Sequence, residues 1–183
     1  MLGDMGSLHL AIGADNRISA KLTAPKNQPI AYLRVVASAD KREGFYGLGE
    51  VFDTVNHRGK LRPMHIMPEL EVESGINDIH APIPLLLGST GWGLFVETYY
   101  PTLFEVAVDD DKTIAFTVGT AGEGDNSISF HLFTESHPLD LTRHFYEITG
   151  WPKLPAPWAL GPWIWRDENR DQAQVVKDIK TIR

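Results

Sequence analysis

The chain has 183 residues, of which 43% are hydrophobic and 10% aromatic, so it is long enough for one or two small globular domains with a buried core. Its formal net charge of −7 argues against nucleic acid and anionic membranes as partners, because both attract a basic surface. The absence of cysteine excludes disulfides, thiolate metal sites and a cysteine nucleophile.

The first residues of the chain give no sign of a secretory signal. The apolar stretch between Asp4 and Asp15 is short, and no basic region precedes it. We therefore expect no signal peptide and a cytoplasmic location. Met1 and Met5 are alternative starts, so the natural N-terminus is left open.

Most of the first 135 residues consist of short runs that alternate apolar and polar side chains and are separated by turn residues, which is typical of antiparallel strands. The predicted strands are 8–12, 17–23, 30–36, 83–87, 93–97, 103–108, 113–118 and 127–133. The aspartates at 109–111 lack the glycine and the distal glutamate of a calcium loop, so we interpret them as turn residues. This pattern predicts an all-β sandwich over residues 1–136.

Two segments interrupt the alternation. The run Gly44-Phe45-Tyr46-Gly47-Leu48-Gly49-Glu50 predicts either a strand whose backbone is bulged or closely approached, or a strand end packed under an aromatic pair. Residues 51–82 lack periodicity and either line a site or form a solvated excursion. Their polar side chains are Asn56, His57, Arg58, Arg62, His65, Glu69, Glu71, Glu73, Asn77, Asp78 and His80.

The periodicity changes at residue 136. Pro138 and Asp140 are typical of a helix start, Leu141 and Phe145 begin an apolar stripe with helical spacing, and Gly150 is typical of a helix end. The prolines at 152, 155 and 157 then predict a stiff, extended connector, because proline fixes φ and removes a backbone donor. We therefore predict a linker helix and connector over 137–157.

The last residues predict a different kind of structure. The apolar run from Trp158 to Trp165 favours a strand buried on both faces, and Asn169 with Gln172 can cap an amphipathic helix that follows. A buried strand followed by such a helix is the first half of a βαβ unit, whose parallel partner strand is missing. We therefore expect 158–183 to be the beginning of an incomplete domain.

The chain carries few catalytic motifs. It has no phosphate loop, no Gly-x-Ser-x-Gly elbow and no His-Glu-x-x-His pattern, and its seven histidines show no ligand spacing on one helix face, so we expect neither a metal site nor a cofactor. Aromatic density is more informative, because tryptophan faces bind sugar C–H surfaces and neighbouring polar groups bond the hydroxyls. Trp163 and Trp165, followed by Arg166-Asp167-Glu168, have this composition. We interpret Trp158 and Trp163 as interdomain core, which leaves Trp165, Arg166 and Asp167 at the end of the predicted strand.

Three motifs carry a resemblance to a known family. Phe45-Tyr46-Gly47-Leu48-Gly49-Glu50 resembles the start of the N-terminal domain of glycoside hydrolase family 31, the α-glucosidase and α-xylosidase family, and Trp92-Gly93-Leu94-Phe95 is similar too. The longest match resembles the family's transition into its catalytic barrel: Phe145-Tyr146-x-x-Thr149-Gly150-x-Pro152-x-Leu154-Pro155-x-Pro157-Trp158-Ala159-Leu160-Gly161. Together these motifs cover most of residues 40–183 in the family's order.

The resemblance implies a mainly β protein: a galactose-mutarotase-like antiparallel β-sandwich, a linker helix, and the first β/α unit of a truncated (β/α)8 barrel. It implies retaining hydrolysis of terminal α-linked glucose- or xylose-type sugars by two aspartates on later barrel strands. No residue here aligns with either aspartate, so we predict that the chain alone is catalytically inactive. The implied partners are the carbohydrate substrate and the rest of the barrel.

The resemblance also implies substrate contacts. A loop of the sandwich, here 62–82, would contribute Glu69 and Asp78, and the end of the first barrel strand would contribute Trp165, Arg166 and Asp167. The aspartate common in that loop has no clear counterpart here, and the family often has an aromatic residue near Asp167, so the preferred sugar is left open.

Two alternatives remain from the sequence. One is a non-catalytic carbohydrate-binding β-sandwich. The other is a structural domain that supports a neighbour through the apolar faces of 139–148 and 158–182.

Overall fold

A computed structural model describes residues 6–13, 15–25, 30–65, 79, 81–120, 126–161 and 171–182. The chain divides into two compact units, Met1–Gly150 and Trp151–Arg183. Neither α-helix among the described residues is long and apolar enough to cross a membrane.

The described part of the first unit contains ten strands, which form two antiparallel sheets. The strands are β1 (Ser7–Ile12), β2 (Arg17–Thr23), β3 (Tyr32–Ser38), β4 (Phe45–Gly47), β5 (Lys60–Met64), β6 (Leu85–Gly88), β7 (Trp92–Glu97), β8 (Thr102–Val106), β9 (Thr113–Gly119) and β10 (Ser127–Thr134). The six-stranded sheet has the order β1-β2-β10-β7-β6-β4, and the four-stranded sheet has the order β3-β9-β8-β5. This architecture confirms the predicted β-sandwich, and the eight strands predicted from alternation lie within two residues of their observed bounds.

Alternate side chains of the two sheets meet in one core. In β10, Phe130 lies opposite Val96 of β7 and Ala20 of β2, and its ring packs edge-on against Phe116 of β9 with centroids 5.4 Å apart. Phe104 of β8 lies 6.0 Å from Phe116 in the same core. Because each buried phenylalanine contributes about 1.5–3 kcal/mol by leaving water, these rings hold the two sheets together.

Helix α1 (Pro138–Thr149) follows the last strand and packs on the six-stranded sheet. His137 caps its start, with its Nδ1 accepting from the Leu139 N–H at 3.2 Å, and Gly150 ends it with φ of 101°. Leu141 is 1% exposed, and Phe145 packs edge-on against Phe95 at 5.0 Å. The predicted apolar stripe therefore binds this helix to the first unit, whereas the domain bounds proposed at 136 and 157 stay predictions.

The second unit contains a short 3₁₀ helix, Pro157–Leu160, and helix α2 (Gln172–Ile182). The predicted strand 158–165 is wrong for its described part, because Ala159 donates locally to the Ala156 carbonyl at 2.8 Å instead of pairing with a neighbour. A strand needs a partner for its backbone groups, and none of the strands in the described ranges pairs with 158–161. Residues 162–165 lie outside the described residues.

Helix α2 confirms the predicted amphipathic helix. The predicted cap, Asn169, lies outside the described residues. Near the start of the helix, the Gln174 N–H donates to the Asp171 carboxylate at 2.9 Å. No side chain of the described helix is buried.

Candidate functional site

The five predicted substrate contacts, Glu69, Asp78, Trp165, Arg166 and Asp167, all lie outside the described residues and stay predictions. For the first two, the structure describes the two ends of the chain segment that carries them. Strand β5 leads into the segment 66–78, and Ile79 and Ala81 follow it. The candidate site is therefore built from these two ends.

The C-terminal end of the segment is held by the glycine-rich motif. Ile79 is 4% exposed and belongs to the core, and the Glu50 N–H donates to the Ala81 carbonyl at 3.2 Å in an isolated antiparallel bridge. Gly49 has φ of +86°, and a Cβ at that position would lie 1.9 Å from the Ala81 oxygen. The structure therefore supports the interpretation that the backbone of this motif is closely approached: glycine is required at position 49 because the chain at Ala81 lies against it.

The N-terminal end of the segment is held by four polar residues that we call the stem cluster: Asp53, His57 and Arg62, which are mostly buried, and Lys60, which is partly exposed. Arg62 lies on β5 with its side chain 1% exposed, and its Nη2 donates to Asp53 Oδ1 at 2.7 Å. Its Nε donates to His57 Nδ1 at 3.1 Å, and Lys60 Nζ lies 3.3 Å from Asp53 Oδ2. A buried guanidinium is tolerated only with such partners, because an unpaired charge in the interior is costly.

His57 connects the stem cluster to the glycine-rich motif. Its Nε2 donates to the Gly47 carbonyl at 2.9 Å, and its backbone N–H donates to the Phe45 carbonyl at 2.8 Å. A neutral ring with its hydrogen on Nε2 satisfies both ring bonds, since Nδ1 then accepts from Arg62. Burial lowers the pKa of His57, the nearby Arg62 charge lowers it further, and the Gly47 bond and the Asp53 charge only partly oppose these effects.

Asp53 supplies the negative charge of the cluster. Burial alone would raise its pKa, but the hydrogen bond and charge of Arg62, together with Lys60 and the Thr54 N–H, outweigh burial and lower the pKa. Arg62 Nη1 is buried and has no hydrogen-bond partner among the described residues. Arg62, in the middle of β5, therefore has N–H groups on Nη1 for which the described part of the chain offers no acceptor.

A second buried polar group supports the start of the glycine-rich motif. Glu43 is 4% exposed, and its Oε1 accepts from Trp92 Nε1 at 2.7 Å and from the hydroxyl of Thr90. Arg58 Nε donates to the Glu43 carbonyl at 2.7 Å, and the guanidinium lies 5.1 Å from the centre of the Phe45 ring. These bonds fix the chain immediately before β4.

Asp53, His57 and Arg62 therefore form an internal network, not a solvated excursion. The choice between the two alternatives for the rest of the predicted segment stays open, because residues 69–78 lie outside the described residues. The network contains a single carboxylate, Asp53, whereas retaining glycoside hydrolysis uses two carboxyl groups about 5–5.5 Å apart. The stem cluster can position a neighbouring segment but does not supply that catalytic pair.

Sequence reasoning missed β5 and with it the stem cluster. The run Lys60-Leu61-Arg62-Pro63-Met64 contains a proline, which argues against a central strand. β5 is instead an edge strand of the four-stranded sheet, with Pro63 opposite Leu103, and an edge position tolerates the missing N–H. The alternation of Leu61 and Pro63 with Arg62 and Met64 was the available signal, although it places a charged residue on the buried face.

Comparison with known proteins gives consistent results. A family model described as the glycosyl hydrolase 31 N-terminal galactose mutarotase-like domain matches residues 14–105. An isomaltosyltransferase of Sporosarcina globispora is 25% identical over 133 residues, covering 73% of this chain and 12% of the relative. The α-xylosidase XylQ of Lactiplantibacillus pentosus is 25% identical over 135 residues, covering 74% of this chain and 17% of the relative.

Solved structures share the fold. A cycloalternan-forming enzyme from Listeria monocytogenes in complex with a pentasaccharide substrate has a TM-score of 0.77 at 16% identity, covering 95% of this chain and 20% of that one. A family 31 dextranase from Flavobacterium johnsoniae complexed with isomaltotriose has a TM-score of 0.63 at 18% identity, covering 79% and 19% of the two chains.

The two antiparallel sheets and the glycine motif that holds Ala81 define a galactose-mutarotase-like β-sandwich of the kind found at the N-terminus of α-glycosidases. The chain belongs to glycoside hydrolase family 31, whose N-terminal domain model matches half of its length. It spans 12 to 20% of the length of the curated relatives that it matches.

Proposed function

We propose that this chain is the N-terminal part of a retaining α-glycoside hydrolase that acts on terminal α-linked sugars of the glucose or xylose type. The observation that carries the proposal is the family match over 14–105, made by a sandwich whose relatives include an α-xylosidase and α-glucosidases. In this proposal the two catalytic aspartates come from later barrel strands, and none of the 183 residues is catalytic.

The role of the sandwich is to present the segment 66–78 to the sugar, with Glu69 and Asp78 as the contacting side chains. Two observations support this role. The stem cluster fixes the chain before the segment, and the Gly49–Ala81 approach fixes the chain after it. Holding both ends lowers the entropy lost when the segment binds a ligand, because fewer backbone states remain to be ordered.

The second set of proposed contacts, Trp165, Arg166 and Asp167, belongs to the first barrel strand. A tryptophan face can stack on a sugar ring, and a guanidinium beside a carboxylate can bond two neighbouring hydroxyls. The partners in this proposal are therefore the carbohydrate substrate and the remaining strands of the barrel.

The first test uses the purified 183-residue chain with an aryl α-glucoside and an aryl α-xyloside. No turnover is expected, and measurable turnover would overturn the assignment of catalysis to other residues. Calorimetry with maltose and xylose oligomers is expected to show little or no heat of binding. Saturable binding by this chain alone would favour the non-catalytic carbohydrate-binding sandwich instead.

The second test uses the longer protein. The reading frame beyond Arg183 is expected to encode further barrel strands that carry two aspartates, and a frame without them would refute the proposal. In that protein, Glu69→Gln and Asp78→Asn are expected to raise KM for the α-glycoside more than kcat falls. Glu71→Gln in the same segment is the matched control, and equal effects of all three variants would argue against specific contacts.

A further inference from the structure

Three side chains with metal-binding atoms meet where helix α1 lies against the turn between β1 and β2: Asp15, His144 and Glu147. Their ligand atoms all lie within 4.8 Å of one another. His144 and Glu147 are three residues apart on α1, so they share a helix face, and Asp15 reaches them from the turn before β2. We propose that this cluster binds a divalent cation of the zinc type.

The strongest support comes from His144, whose side chain is 1% exposed. Its Nε2 donates to Glu135 Oε1 at 2.7 Å, an oxygen that Arg143 Nη2 also approaches at 3.1 Å. A hydrogen on Nε2 leaves a lone pair on Nδ1, and this buried Nδ1 has no hydrogen-bond partner among the described residues. A carboxylate that orients a histidine through its far nitrogen is the usual arrangement around metal-binding histidines.

The free nitrogen is aimed into the cluster. Nδ1 lies 4.0 Å from Asp15 Oδ2, too far for a hydrogen bond, and Arg17 Nη2 lies 2.8 Å from the same oxygen. The ring is held in this orientation by stacking on Phe133, with centroids 5.0 Å apart. A cation between the two atoms would give the unpartnered Nδ1 lone pair a ligand bond and would share Asp15 with Arg17 or displace Arg17 from it.

The charges and ligand types select the class of cation. The carboxylates of Asp15, Glu135 and Glu147 meet two guanidinium groups, Arg17 and Arg143, so one negative charge remains when His144 is neutral. One imidazole nitrogen with carboxylate oxygens suits Zn²⁺, whereas Ca²⁺ and Mg²⁺ prefer oxygen ligands alone. In a tetrahedral site with metal–ligand bonds of about 2.0–2.2 Å, neighbouring ligand atoms lie about 3.4 Å apart. The ligand atoms here lie up to 4.8 Å apart, so metal binding needs to bring them closer by roughly 1 Å.

Arg17 competes for the same carboxylates. Its Nη2 lies 2.8 Å from Asp15 Oδ2 and its Nη1 lies 3.8 Å from Glu147 Oε2. Its side chain is 25% exposed, so the guanidinium has a path to solvent when a metal takes its place. Removing Arg17 is therefore expected to strengthen metal binding.

The experiment titrates the chelator-treated 183-residue chain with Zn²⁺ in a calorimeter and with Co²⁺ as a visible probe of tetrahedral coordination. One saturable site per chain is expected, with a Co²⁺ spectrum of the tetrahedral type. Asp15→Asn and His144→Gln are expected to weaken Zn²⁺ binding at least about tenfold, and Glu135→Gln about tenfold, because outer partners are worth about 10–100-fold. Arg17→Gln is expected to tighten binding severalfold.

His9→Gln is the matched control, since His9 is an exposed histidine on β1, and its binding constant is expected to stay unchanged. Circular dichroism checks folding, and Asp15→Asn carries the test if the buried His144 variant does not fold. Absence of saturable binding, binding retained in Asp15→Asn, or no tightening in Arg17→Gln would each overturn the proposal. Equal competition by millimolar Mg²⁺ would overturn the assignment of a nitrogen ligand.

Discussion

Replacing Arg62 with methionine removes a buried guanidinium while keeping most of the aliphatic volume of the side chain. Two bonds are lost with it: Nη2 to Asp53 Oδ1 at 2.7 Å and Nε to His57 Nδ1 at 3.1 Å. Asp53 keeps Lys60 and the Thr54 N–H, but His57 keeps a buried acceptor without a donor. The variant therefore tests whether the stem cluster stabilises the sandwich.

The expected cost follows from these losses. A charge-assisted hydrogen bond contributes about 1.5–3 kcal/mol, and an unsatisfied buried polar atom costs about 1–3 kcal/mol. Their sum agrees with the range of about 3–5 kcal/mol for breaking a buried ion pair by removing one partner. Because Lys60 still neutralises Asp53, we expect the Arg62→Met variant to lose about 3 kcal/mol of unfolding free energy.

Urea unfolding followed by circular dichroism measures the change, and Arg34→Met is the matched control. Arg34 Nη2 lies 2.7 Å from Glu105 Oε2, the same separation as in the buried pair, but the Arg34 side chain is 44% exposed. The control is therefore expected to lose less than about 1 kcal/mol. If both variants lose the same small amount, the stem cluster is not a stabilising network and the reasoning fails.

Three further predictions concern the supports of the candidate site and of helix α1. Gly49→Ala places a Cβ 1.9 Å from the Ala81 oxygen and is expected to lose at least about 2 kcal/mol of unfolding free energy in urea. The control, Gly59→Ala, has a similar φ of +77° but no atom within 4 Å, and is expected to lose about 1 kcal/mol. Equal losses would contradict the close approach at Gly49. Leu141→Ala is expected to lose about 2–4 kcal/mol of unfolding free energy, because Leu141 is 1% exposed. The control, Leu139→Ala, at a position that is 71% exposed, is expected to lose less than about 0.5 kcal/mol. Similar losses would mean that α1 is not packed as described. The pKa of His57 is lowered from 6.5 in the folded chain, so below pH 6.5 the unfolded chain binds more protons and the urea midpoint is expected to fall with pH. His57→Gln is expected to weaken this dependence of the urea midpoint on pH. An unchanged dependence would assign the titration to another group.

The strands that the sequence predicts well are those whose pattern is local. The alternating runs 113–118 and 127–133 both form strands at those positions, with Ile128 and Phe130 on the buried face of the second. The alternation is less exact than the sequence predicts, because Ala115 is buried, and Phe133, which packs with Leu141, is buried while Leu132 is exposed. Strand β5 was missed because Pro63 is informative only when the strand's place at a sheet edge is known. The run after Pro157 was assigned to a strand because periodicity cannot separate a short apolar strand from a helical turn.

The contacts that build sites depend on the fold more than on spacing. His57 and Arg62 were visible as polar residues, but nothing in the sequence shows that Arg62 is buried against Asp53. Asp15 and His144 lie near opposite ends of the sandwich sequence and meet only because α1 packs beside the first hairpin. Glu69 and Asp78 were predicted from family resemblance alone, and Trp165, Arg166 and Asp167 from their composition together with that resemblance.

The anchoring of Met64 and Ile79 in the core on either side of the segment 66–78 has a consequence for divergence within the family. When the ends of a segment are fixed by interactions outside it, doubling its length costs only about 0.6 kcal/mol of closure entropy. In closure entropy alone, a change in the length of chain between these two anchors therefore costs the sandwich little. Under the proposed function, selection for a new sugar can act on residues 66–78 while the sheets that carry Met64 and Ile79 stay unchanged.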